Sequence, residues 1–101
     1  MSEQAAQPAF RAGQLLMTPG AMHAMADAGQ DPMEFLNRHF NCDWGELEEE
    51  DKQENELSLR EGYRLLSAYH THLNVKLWVI TEAADEAGNR AATTILLPAE
   101  Y

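Results

Sequence analysis

Through the first sixty positions apolar side chains recur at helical spacing, and from Tyr63 onward they begin to alternate with polar ones. A period near 3.6 that gives way to a period of two predicts helices first and strands afterwards. FRAGQLLM, Phe10 to Met17, is a short strand candidate that ends at Thr18. TPGAMHAMADAG then reads as a helix with both ends marked: Thr18 as N-cap, Pro19 in the first turn and Gly29 as the stop. Its apolar arc is expected to hold Ala21, Met22, Met25 and Ala28, with His23 and Asp27 toward water. A second helix begins at DPME, where Asp31 is the N-cap, Pro32 the first helical residue and Glu34 the third residue of a capping box, and it runs to about Phe40. Met33, Phe35, Leu36 and Phe40 form one arc, and His39 falls inside it, so its ring is expected to be partly buried.

NCDWGELEEEDKQENELSLREG is a third helical region, a short turn at Trp44 to Leu47 and then a longer helix stopped by Gly62. Trp44, Leu47, Asp51, Asn55, Ser58 and Gly62 fall on one stripe of a continuous wheel. Asp51 and Asn55 are thus expected to face inward as structural polar groups, since a buried polar group left unpaired costs roughly 1–3 kcal/mol. The alternating stretches YRLLSAYHTH, VKLWVITEA and RAATTILLP are rich in Val, Ile, Thr, Tyr and Trp and are separated by short turns. Three antiparallel strands follow, with Pro98 ending the last. The expected class is α+β: an N-terminal helical half packed on a three- or four-stranded antiparallel sheet. Residues 1–8 are expected to be a disordered tail and 9–101 a single domain.

Charge changes this picture most between Gly45 and Glu56, GELEEEDKQENE, where seven carboxylates meet one lysine. The whole chain of 101 residues carries seven basic and seventeen acidic residues, for a formal charge of −10. That balance disfavours direct binding to nucleic acid or to an anionic membrane and favours a basic protein partner. Hydrophobic residues at 45% and charged ones at 24% match a folding domain and not an acidic disordered tail. One cysteine, Cys42, excludes an internal disulfide; no signal-like leader or spanning segment is visible, so the expected setting is cytoplasmic. The pattern fixes no oligomeric state.

The stretches GQLLMTPGAM, DPMEFLNRH, DWGEL, the acidic and Asn positions of EEDKQEN, LLSAY, WVITEA and TTILLPAEY resemble a family of small uncharacterised proteins, about 100 residues long, of bacterial plasmids, integrative elements and phages. Some of its members carry the label of a type I restriction endonuclease subunit M. The resemblance covers Gly13 to Tyr101 and implies a mobile-element setting. It implies no methyl transfer, because the chain has neither a glycine-rich cofactor loop nor an N/D-P-P-Y/F motif. Where the family runs from TEAD through a short R-S to TT, this chain inserts AADEAGNRAA between Glu82 and Thr93, so the family's arginine maps onto Arg90 across a longer hairpin.

Two function classes follow. In the first, Glu46, Glu49, Glu50 and Glu56 form a protein-binding surface of a small accessory protein or inhibitor, a candidate DNA mimic that occupies a nucleic-acid-binding host defence protein. In the second, helices followed by a small sheet describe a metal-free ribonuclease-like enzyme or toxin of the barnase or RelE type, for which His70, Glu82 and Arg90 supply an acid, a base and a cation. The first is preferred, because a chain at −10 attracts RNA poorly. His39, Cys42 and Asp43 form HxxCD, a fragment that supplies too few ligands for zinc without His70 and His72. No metal or cofactor is therefore expected.

Overall fold

The structure is a computed structural model that describes residues 9–101. The expected tail at 1–8 lies outside the described residues. In chain order the elements are β1 (Gln14–Met17), α1 (Pro19–Ala28), α2 (Pro32–Phe40), α3 (Glu49–Glu61), β2 (Leu65–His70), β3 (Lys76–Thr81), β4 (Ala92–Leu96) and a closing 3-10 turn (Pro98–Glu100). The class is α+β, with a four-stranded sheet in the order β1-β4-β3-β2.

The sheet is mixed, which corrects the antiparallel expectation. β2, β3 and β4 pair antiparallel, as their short connections require. β1 instead runs parallel to β4, from Gln14 opposite Ala92 to Met17 opposite Ile95. Three helices and two strands separate β1 from β4, so no tight turn dictates their relative direction, and a long crossover permits the parallel one. A second correction concerns Trp44 to Leu47, which forms no helical turn. Gly45 makes a parallel bridge with Ala68 of β2 at a φ of 76°, and a side chain there would clash with the Ala68 carbonyl.

The helix ends follow the local chemistry. Thr18 accepts from the Ala21 amide at 3.3 Å and Asp31 from the Met33 amide at 2.9 Å. The Glu34 carboxylate does not close the capping box; it accepts from the Gln30 side chain at 2.9 Å. The inward face of α1 is Ala21, Ala24 and Met25, while Met22 is 53% exposed; on α2 Met33 is likewise exposed at 40%.

Below α1 and α2, the helix-facing side of the sheet presents Leu65, Ser67 and Tyr69 from β2, Leu77, Val79 and Thr81 from β3, and Thr93 and Ile95 from β4, none more than 1% exposed. Three hydroxyls therefore sit in a sealed interior, and one side chain of α2 joins them. His39 Nδ1 lies 2.6 Å from Ser67 Oγ and its Nε2 lies 2.9 Å from Thr81 Oγ1. Thr81 Oγ1 is 2.7 Å from Thr93 Oγ1, which donates to the Ala12 carbonyl at 2.8 Å.

Because a carbonyl only accepts, the direction of the whole chain is fixed from that end. Thr93 donates to Ala12, Thr81 to Thr93, His39 through Nε2–H to Thr81, and Ser67 to the bare Nδ1. The bonding thus puts a proton on Nε2, and burial keeps the ring neutral, which leaves Nδ1 bare to accept from Ser67. Burial drives its pKa from 6.5 down to about 3, and the nearby Arg90 guanidinium pushes in the same direction. Phe10 and Trp44 stand edge-on to the ring at 5.3 and 5.7 Å between centroids and shut out water.

On the other face the chain folds back on itself. The Glu100 carboxylate accepts from Thr18 Oγ1 at 2.5 Å, from the Gly20 amide at 3.0 Å and from the Leu97 amide at 2.9 Å. One carboxylate thereby caps α1 and ties the C-terminal turn beside it, at the end of the helix where negative charge is favoured. The Tyr101 ring then stands edge-on to Trp78 at 5.8 Å, over the outer face of the sheet.

Because the folded His39 pKa is depressed, its contribution to stability is complete above pH 6.5 and is lost as pH falls from 6.5 toward 3. Urea unfolding between pH 8 and pH 4.5 should show stability falling by up to about 1.4 kcal/mol per pH unit below 6.5. His39→Gln should flatten that slope while lowering the plateau. Asp43, held below its usual 3.8 by Arg38, acts only at lower pH.

Candidate interaction surface

α3 is built for water on most of its circumference. Its first turn holds Glu49, Glu50 and Asp51, its last turn Arg60, each sign placed where the helix dipole favours it. Of its thirteen residues only Asn55 and Ser58 are buried. Asp51, expected on the inward stripe, is exposed. The stripe fails there because Trp44 and Leu47 lie on a bridge and not on the same helix, so the wheel that aligned them with Asp51 does not exist.

Asn55 does face inward, and its amide does the work of a backbone. Its Oδ1 accepts from the Leu66 amide at 3.1 Å and its Nδ2 donates to the Leu66 carbonyl at 2.6 Å. Next along the β2 edge, the Ala68 amide donates to Trp44 O at 3.2 Å and the Glu46 amide to Ala68 O at 2.7 Å. The outer edge of β2 is thereby closed by one side chain and one short segment, which prevents another strand from adding there.

The acidic residues divide according to what they already hold. Glu46 pairs with His70, and Glu56 accepts from the Trp44 indole at 2.9 Å. Glu49 and Glu56, seven positions apart, share one stripe about 10.5 Å long. Lys52 lies between them and offsets part of their charge. Glu50, Glu54 and Glu61 share another: four and eleven residues on, they return to within about 40° and 20° of the same bearing. All three are exposed, and none makes a side-chain hydrogen bond among the described residues. Glu54 and Glu61 are not among the candidate surface residues of the sequence reading, although their helical spacing from Glu50 carries the signal.

The three residues named for catalysis are not brought together. Arg90 is 7% exposed and spends its guanidinium on main-chain carbonyls: Nη1 donates to Tyr63 at 2.7 Å and Glu82 at 2.9 Å, and Nη2 to Ser58 at 3.3 Å. It clamps the end of α3 to the β3–β4 hairpin, and burial lowers its pKa. The exposed Glu82 carboxylate borders a shallow depression with Thr18, Arg64, Thr94 and Tyr101. His70 lies at the far end of β2, five residues beyond Leu65, whose cross-strand neighbour is Thr81. That places about 17 Å of strand between His70 and Glu82.

HxxCD does not form a ligand set either. His39 is sealed in the core, Cys42 takes a left-handed φ of 62°, and Asp43 forms an ion pair with Arg38 at 2.7 Å. Among the described residues no group of three His, Cys, Asp or Glu side chains is placed to hold a metal ion. Among them, too, no helix is long and apolar enough to cross a membrane.

What remains is a two-layer α+β domain with one acidic helix laid along a closed sheet edge. Comparison with protein-family models, with curated proteins and with solved structures finds no match to the chain.

Asn55→Asp replaces the donor to Leu66 O with a second acceptor and should cost about 1–3 kcal/mol in urea unfolding. Arg90→Lys should cost about 3 kcal/mol, with charge retained, because an ammonium on a flexible stem cannot reproduce a planar fork spread over three carbonyls.

Proposed function

We propose that this chain is a small acidic protein-binding accessory protein that occupies the basic groove of a nucleic-acid-binding partner, in the manner of a DNA mimic. The observation that supports the reading is the Glu50–Glu54–Glu61 stripe. Its carboxylates recur along one face, stay in water and have no internal partner among the described residues, so they cost the fold nothing to present. Leu57, 36% exposed, lies on the same bearing and offers an apolar contact between charges.

A basic groove shaped for phosphates accepts such a row through the same long-range attraction that brings it to nucleic acid, and association is fast and salt-sensitive for that reason. Glu46 and Glu56 add charge at the flank while anchored to His70 and Trp44. The resemblance to small proteins of plasmids, integrative elements and phages fits a target among host defence proteins, in a cytoplasmic setting. An enzymatic reading gains no support from the separated His70, Glu82 and Arg90.

The test is capture from bacterial lysate on immobilised protein at about 50 mM and about 500 mM salt, where the Debye length shrinks from roughly 14 Å to 4 Å. The reading expects a basic protein retained at low salt, released at high salt and displaced by duplex DNA. Glu50→Lys combined with Glu54→Lys should abolish retention without changing the circular dichroism spectrum. Retention that survives both the double variant and duplex DNA would sink the proposal.

A further inference from the structure

The two edges of the sheet are finished differently. Asn55 and the Trp44–Glu46 segment occupy the edge of β2, whereas among the described residues β1 has no such cover. The amides of Gln14 and Thr18 donate to Ala91 O and Ile95 O, both at 3.0 Å. The period of two gives Leu16 to β4 as well and turns the N–H and C=O of Leu15 and Met17 away from the sheet. Among the described residues nothing pairs with those four groups.

Exposed edges are ordinarily protected by charge, proline or a bulge. β1 reads Gln-Leu-Leu-Met and has none of these, with Leu15 48% and Leu16 42% exposed. Beside it the start of α2 adds Asp31, Pro32 and Met33 to form a shallow, mostly apolar groove of about 250 Å³, in which the Asp31 carboxylate accepts from the Met33 amide as the cap of α2.

The distribution of charge says what fits this edge. From Ala12 to Gln30 the single formal charge is Asp27, and the groove itself holds one carboxylate, the helix cap Asp31, while eight carboxylates crowd between Glu46 and Glu61 along the opposite edge. A chain at −10 meets its own copy with least repulsion where that charge is sparsest, which is this edge. We infer that β1 pairs with β1 of a second copy about a two-fold axis, joining two four-stranded sheets into one of eight strands.

The axis makes the pairing antiparallel, with Leu15 of one copy opposite Met17 of the other and the two Leu16 side chains facing each other on the outer surface. The two β2 edges, each with its α3, then lie about 34 Å apart across seven strand spacings, several Debye lengths at physiological salt. Both acidic helices stay outermost and accessible. A seam of one short strand and a helix start is smaller than the roughly 800 Å² per partner of a standard stable interface, so the dimer is weak and concentration-dependent.

Sedimentation of the full chain from about 5 μM to about 1 mM tests this. The mass should rise from 11.3 kDa toward twice that value. Amide exchange at Leu15 and Met17 should slow as concentration rises, while that at Leu16 stays unchanged. Leu15→Pro deletes an outward N–H without touching the β4 ladder, and Leu16→Lys sets two ammonium groups against each other across the axis. Each should hold the chain at monomer mass with an unaltered circular dichroism spectrum; should the proline variant unfold, Leu16→Lys decides alone. A wild-type chain that stays at 11.3 kDa to about 1 mM overturns the inference, as does a dimer that survives Leu16→Lys. Protection of Leu15 and Met17 only on addition of a foreign basic peptide would assign the edge to another occupant and overturn it equally.

Discussion

A neutral imidazole in the middle of the fold ties together almost everything around it. His39 leaves α2 to touch β2 through Ser67 and β3 through Thr81, and Thr81 passes the chain of hydrogen bonds to Thr93 on β4 and on to the Ala12 carbonyl at the approach to β1. A buried polar network is costly if any member is left unpaired, and this one leaves none: no buried side-chain nitrogen or oxygen lacks a partner among the described residues. Satisfied networks of this kind specify one arrangement, because sliding α2 by a residue would strand four hydroxyl or ring groups at once. The parallel placement of β1, which no turn enforces, is fixed in part by the Thr93–Ala12 bond at its entry.

The same economy governs the ends of the chain and of the sheet. Glu100 caps α1 from the far end of the sequence and holds the last turn over the sheet's outer face. Asn55 imitates a strand residue for Leu66, and Arg90 gathers carbonyls from Ser58, Tyr63 and Glu82. In each case one polar side chain satisfies several main-chain groups that secondary structure leaves over. Asn55 ties α3 to β2, and Arg90 ties the end of α3 to the β3–β4 hairpin.

Charge and apolar exposure are sorted to opposite sides. The β2 edge is closed and strongly acidic; the β1 edge, unpaired among the described residues, is largely apolar, with Asp31 the one carboxylate in its groove. A protein that bound a basic groove with one side and its own copy with the other would present two acidic rows facing apart, matching a target that is itself two-fold symmetric. Such an arrangement would keep the repulsive helices separated and leave each free for contact.

The sequence by itself determined the order of elements, the caps at Thr18 and Asp31, the stops at Gly29 and Gly62, and the α+β class, because these depend on neighbours within a few residues and on a period the chain carries openly. Helical spacing also placed His39 inward beside Phe35, Leu36 and Phe40, whereas the longer wheel that turned Asn55 inward turned the exposed Asp51 inward with it. Tertiary structure alone decided the direction of β1, the bridge at Gly45, the exposure of Asp51, and the conversion of Arg90 from a candidate catalytic cation into a clamp. Each of those depends on partners tens of residues away, which spacing along the chain does not encode. The acidic row lay between: its spacing was written in the sequence, but which carboxylates are already held by Trp44 or His70 followed only once the fold had set them side by side.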